Sequence, residues 1–153
     1  MKRPTCFFVL LLVLVLGTAS IAWAGPAEDE IFRIGDQRIK AFNEGNLDAV
    51  MGWFADDAVQ TSQTLPFRME GKEAIRGNYV SLFQNSSARL YVPRQRMARV
   101  YGDTAVSNTY FTLTVVDRAG KATTSHGRLD VTYVKQGGRW LVVNQHGSLL
   151  PSQ

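Results

Sequence analysis

Between residues 88 and 151 the chain alternates runs of β-branched and aromatic residues with three short polar turns. These are Tyr101-Gly-Asp-Thr, Asp117-Arg-Ala-Gly-Lys and Lys135-Gln-Gly-Gly-Arg. Turns this short join only antiparallel strands, because a parallel pair needs a crossover of a dozen or more residues. The spacing therefore predicts four long strands in a meander. One face of such a sheet must be covered, and most of the sequence available to cover it precedes residue 88.

That earlier sequence reads as helices. Pro26 followed by Glu28, Asp29 and Glu30 gives the acidic first turn that a helix dipole favours. Ile31, Ile34, Ile39 and Phe42 recur at helical spacings, and Gly45 is a good terminator. Asn46 is a cap for a second helix whose apolar stripe is Leu47, Val50, Met51 and Phe54. A third is predicted over 71–83, where Ala74, Ile75, Val80 and Phe83 alternate with polar residues. Short strands are expected at 58–62 and 67–69. Helices first and sheet after, on one small core, is the α+β pattern.

The first residues are expected to lie outside that fold. Lys2 and Arg3 precede an unbroken apolar run over 6–16, and Ala22, Trp23 and Ala24 form the small-x-small triplet of a secretory cleavage site. The fully apolar run falls short of the roughly 20 residues a spanning helix needs. The sequence thus predicts a signal peptide at 1–24, a single mature domain at 25–153, a periplasmic or secreted location, and no stable membrane association after cleavage. Cys6, the only cysteine, would leave with the signal, so the mature domain would have neither a disulfide nor a thiolate. Losing Lys2 and Arg3 lowers the basic count from 17 to 15 against 13 acidic residues. Arg89, Arg94, Arg96 and Arg99 are spread along one strand as a solvated face, which gives no basis for a nucleic-acid partner.

The last strand starts apolar, with Trp140, Leu141, Val142 and Val143, and ends polar. Period two places Trp140, Val142, Asn144, His146 and Ser148 on one face, and Arg128, Asp130 and Thr132 on one face of the strand before it. Two registers are open. A three-residue turn at 136–138 sets His146 opposite Arg128 and Asn144 opposite Asp130, whereas a two-residue turn pairs Gln145 with Asp130 and swaps the faces. Either gathers the polar ends in one region, expected at the wall or mouth of a pocket. Asp130 and His146 are the candidate acid–base pair, an imidazole near neutral pKa with a carboxylate to fix its tautomer. The alternative is a structural Arg128–Asp130 ion pair, with His146 bonded to a backbone carbonyl or placed at a dimer contact. Arg128, Asn144, Gln145 and Ser148 are candidate ligand contacts, and Trp53 and Tyr110 candidate aromatic walls. His126, His146 and Asp130 match no metal-ligand spacing, so no metal site and no cofactor are expected.

Three segments carry a resemblance. Residues 41–59 (AFNEGNLDAVMGWFADDAV), 65–83 (LPFRMEGKEAIRGNYVSLF) and 126–151 (HGRLDVTYVKQGGRWLVVNQHGSLLP) follow, in order, the pattern of the nuclear transport factor 2-like superfamily and its SnoaL-like members. The resemblance spans 31–151. It implies a cone-shaped, strongly bent antiparallel sheet packed on three N-terminal helices, with a pocket inside. It does not fix an activity, because the superfamily includes isomerases, dehydratases, epoxide hydrolases, polyketide cyclases and assembly domains. Where ketosteroid isomerases carry a tyrosine the chain has Arg38, and Ser62 stands near their base; of that set only Asp130 matches. Arg128 and Asp130 echo the Arg-x-Asp of limonene epoxide hydrolases on a different strand. The last part also resembles the calcium/calmodulin-dependent kinase II association domain. Three functions follow as expectations: a small-molecule-binding domain, a lyase or isomerase using Asp130 and His146, or an oligomerisation module. A homodimer through the outer face of the sheet is expected.

Overall fold

The first helix, α1 (Pro26–Glu44), begins at a proline that needs no helical partner for its nitrogen and ends at Gly45, whose amide bonds back to Ala41 and Phe42. In this computed structural model, which describes residues 25–62 and 65–151, α1 buries Ile31, Ile34 and Ala41. The predicted signal peptide lies outside the described residues. A five-residue helix follows, α2 (Leu47–Met51), capped by Asn46, whose side chain accepts from the Ala49 amide at 3.0 Å. Next come β1 (Phe54–Thr61), β2 (Met69–Glu70) and α3 (Lys72–Asn85). The four long strands are β3 (Ser86–Tyr101), β4 (Thr104–Asp117), β5 (Ala122–Gln136) and β6 (Arg139–Leu149). Three helices and then the meander match the expected order. β1 starts four residues before the expected 58, and β2 holds only two residues, with Phe67 left exposed ahead of it.

One six-stranded sheet forms in the order β2-β1-β6-β5-β4-β3. Neighbours are antiparallel except β1 and β6, which run parallel, because β1 reaches the sheet through α3 and the whole meander rather than a hairpin. The β5–β6 turn has two central residues, Gly137 and Gly138, both at positive φ (56° and 78°). That is the backbone a tight hairpin turn with the right-handed strand twist demands. Register shifts interrupt β3 between Pro93 and Arg96 and the β5–β6 ladder between Thr132 and Tyr133. Such bulges bend a strand and increase its twist, which curls this sheet around α1 and α3. Pro93 is tolerated because β3 is an edge strand.

The core lies between the inner face of the sheet and the helices. Ile31, Ile34, Met51, Phe54, Ile75, Val131, Tyr133, Trp140 and Val142 are all buried there. Each large apolar side chain so buried contributes about 1.5–3 kcal/mol. Trp140 also donates its indole N–H to Glu30 at 3.1 Å, fixing β6 against α1. Beyond this core the sheet and helices diverge and leave a cavity. Among the described residues no helix is long and apolar enough to cross a membrane.

Candidate functional site

The cavity measures about 410 Å³, within the range of small-molecule sites. Its walls are mostly apolar: Ile31, Ile39 and Phe42 from α1, Phe111 and Leu113 from β4, and Leu129 from β5. Inward positions on the strands are the odd-numbered residues of β4 and β5, as alternation requires. Gly127 is needed among them. A Cβ there would sit 2.4 Å from the Phe111 ring and 2.6 Å from the Ser148 carbonyl, so only glycine lets Phe111 lie across β5.

Set into the apolar wall is one polar group of side chains. Arg38 projects from α1, four residues after Ile34 and three before Ala41, on the helix face that is otherwise apolar. Its Nη1 donates to the Tyr133 hydroxyl at 3.0 Å and its Nη2 to Gln145 Oε1. The Gln145 amide in turn donates to the Tyr79 hydroxyl at 3.3 Å. The guanidinium lies 5.4 Å from the Phe54 ring centroid and 5.8 Å from that of Tyr133. Such cation–π contacts offset part of the cost of desolvating the charge. No ion pair involving Arg38 occurs among the described residues, whereas the other cavity arginine, Arg96, pairs with Asp36. Arg38 Nε, Tyr91 Oη and Gln60 Oε1 are buried without a hydrogen-bond partner among the described residues. Burial pushes the Tyr91 phenol well above its ordinary range, and the nearby Arg38 charge opposes part of that shift. Tyr91 therefore remains an O–H donor at physiological pH.

The residues predicted from sequence divide between the two faces of the sheet. Gln145 lines the cavity. Asp130, His146, Arg128, Ser148, Tyr110 and Asn144 share the outer face, away from it, so the expected placement of the cluster at the pocket wall is corrected. They do meet there: His146 stands directly opposite Asp130, Ser148 opposite Arg128, and Asn144 opposite Thr132. Asp130 accepts from the Asn108 amide, and the Arg128 guanidinium lies 5.5 Å from the Tyr110 ring centroid. There is no Arg128–Asp130 ion pair among the described residues. Trp53 is half-buried against the core and does not line the cavity. His126 bonds to Thr112 through Nδ1 at 3.1 Å on the outer face. No three potential metal ligands come together among the described residues.

For the residues of β6 the physical reason is one bulge. The β5–β6 ladder pairs Tyr133 with Val142 but Thr132 with Asn144, so β6 carries an extra residue at Val143. Before it, Trp140 and Val142 face inward; after it, Gln145, Gly147 and Leu149 do. Unbroken period two would have carried His146 and Ser148 inward with Trp140. Arg38, Tyr91, Tyr133 and Gln60 were not among the predicted site residues. The available signal was a lone arginine on the apolar stripe of α1.

Comparison with known proteins agrees with this architecture. The SnoaL-like domain family matches residues 32–152. A calcium/calmodulin-dependent protein kinase II association-domain-like protein from Xanthomonas campestris superposes with a TM-score of 0.74 at 26% identity, covering 84% of this chain and 93% of that one. A nuclear transport factor 2-like protein of unknown function from Pseudomonas putida gives 0.73 at 22% identity, with coverages of 83% and 88%. A protein with a cystatin-like fold from Caulobacter vibrioides gives 0.70 at 16% identity, with coverages of 80% and 89%. No curated protein sequence matches the chain.

Proposed function

The chain belongs to the SnoaL-like domain family, and on that premise we propose that it binds a small, largely apolar organic molecule in the cavity between the helices and the curled sheet. The observation that carries this reading is the cavity itself, about 410 Å³ with apolar walls and one convergent polar group. Pockets of this make-up are the usual seats of small ligands. Binding is favoured over acid–base turnover because the described lining contains no carboxylate and no imidazole, the groups that most often move protons near neutral pH. Asp130 and His146 face away from the cavity.

The neutral fluorophore N-phenyl-1-naphthylamine tests the reading. It is expected to brighten on mixing with the purified protein, and Leu129→Trp, which fills the cavity, is expected to abolish the signal while the fold persists by circular dichroism. No brightening with the unsubstituted protein would count against cavity binding.

The proposal includes export. Its support is the Lys2-Arg3 start, the apolar run and the Ala22-Trp23-Ala24 triplet. Intact-mass measurement of protein from the exported fraction is expected to give a chain starting at Gly25, and a retained Met1 there would reject it.

A further inference from the structure

We propose that the cavity's ligand is a monocarboxylate with an apolar body, its carboxylate held at Arg38. This inference rests on the cavity-binding reading above and adds the ligand's charge and the residue that meets it.

The argument is one of unbalanced charge and unbalanced hydrogen bonding. A guanidinium partly withdrawn from water, as Arg38 is, favours a counter-charge or a full set of acceptors. Arg38 has no ion pair among the described residues, and the two partners it does have, Tyr133 and Gln145, are neutral. Its Nε is buried with no acceptor among the described residues. The surrounding tyrosines add donors, while Gln60 Oε1 is a buried acceptor without a partner among the described residues. Tyr133 receives from Arg38 and Tyr79 receives from Gln145, so each hydroxyl proton is left to give. Tyr91 contributes a further buried hydroxyl with no partner among the described residues. No Asp or Glu lines the cavity among the described residues. A site made of one fixed positive charge and several phenolic donors is complementary to an anion.

The same inventory selects the kind of anion. Arg96, the second cavity arginine, is already neutralised by Asp36 and caps the Phe32 carbonyl at 3.3 Å. One uncompensated positive charge matches a single negative charge, whereas a phosphate dianion would bring a second charge with nothing to meet it. A planar carboxylate suits the guanidinium fork and leaves its outer lone pairs for tyrosine hydroxyls. Gln145 acts as a positioning residue: its amide is held by Tyr79 and holds Arg38. The apolar remainder of the cavity, from Phe42 across to Phe111 and Leu129, calls for a hydrocarbon or aromatic body.

The test is displacement of N-phenyl-1-naphthylamine from the purified protein by 4-phenylbutyrate and by 4-phenyl-1-butanol, which share a body and differ in the head group. The acid is expected to displace the probe at a concentration about tenfold lower than the alcohol, the scale of one charge-assisted hydrogen bond. In Arg38→Met the ratio is expected to fall to near one, and Arg38→Lys, which keeps the charge without the fork, to retain part of it. Equal displacement by the two compounds in the unsubstituted protein would overturn the inference even if no variant folds. A preference that persists in Arg38→Met would also overturn it, by placing the anion elsewhere. If the probe never binds, the cavity-binding reading falls and takes this inference with it; if it binds and the compounds do not differ, only this inference falls.

Discussion

At the scale of single residues the two faces of the sheet make opposite demands. Inside, Gly127 is fixed by contact: a methyl group would strike both the Phe111 ring and the Ser148 carbonyl. The ring can shift a little, but the carbonyl belongs to the β5–β6 ladder and cannot move without breaking it. Gly127→Ala is therefore expected to destabilise the fold by about 1–3 kcal/mol, the usual cost of overpacking, as read from urea denaturation. Outside, Asp130 and His146 stand opposite each other with water at hand, and replacing them removes no core volume. Asp130→Asn and His146→Ala are each expected to leave N-phenyl-1-naphthylamine binding unchanged and stability within about 0.5 kcal/mol. A tenfold loss of binding in either variant would return the outer cluster to the functional site.

At the scale of elements, what was legible from sequence and what was not meet in β6. The meander was legible because its turns carry strong local chemistry: Gly137 and Gly138 mark a hairpin whatever surrounds them, although its turn stayed open between two and three residues. The helices were legible from Ile31, Ile34, Val50 and Ile75, whose spacing is itself the cause of burial. The site was not, because it depends on an extra residue at Val143 that no turn residue announces. Alternation is a local rule, and a single bulge reverses every face beyond it. Gln145 enters the cavity and His146 leaves it for that reason alone. Arg38 was hidden differently. On an amphipathic helix a lone arginine usually reaches out to water, and only the sheet closing over α1 shows that this one does not.

A second joint between elements is carried by a side chain acting as a strand. Asn43, at the end of α1, accepts from the Tyr91 amide at 2.7 Å and donates to the Tyr91 carbonyl at 3.2 Å. It thus occupies the free edge of β3 where a neighbouring strand would pair, and it also holds Tyr91 in the cavity wall. Asn43→Ala removes both bonds and leaves a half-buried peptide unit unsatisfied. The expected cost is about 1–3 kcal/mol, with faster hydrogen exchange at the Tyr91 amide than at amides within the β4–β5 ladder.

At the scale of the whole molecule the curled sheet encloses the cavity with one face, and among the described residues no element covers the other. Leu90, Met97 and Tyr101 of β3 and Tyr110 of β4 lie on that outer face, between 41% and 67% exposed. Threonines at 112, 114, 124 and 132 occupy much of the space around them. This is a broad surface on which several large apolar side chains are exposed beside Arg99, Arg128 and Asp130, and large apolar side chains exposed together mark interaction surfaces. A second copy of the chain presents the same surface, and two such faces can meet about a two-fold axis without exposing new edges. The outward turn of Asp130, Arg128 and His146 then places polar groups beside that apolar patch, where they would set the register between copies. Light scattering of the purified protein is expected to give twice the monomer mass, with Met97→Asp shifting it to the monomer because a buried unpaired carboxylate is costly at the centre of a contact. The same variant is expected to keep binding N-phenyl-1-naphthylamine, since the cavity is built from the opposite face of the sheet. A monomer at high concentration without the substitution would reject the pairing, and a dimer that survives Met97→Asp would move it to another surface.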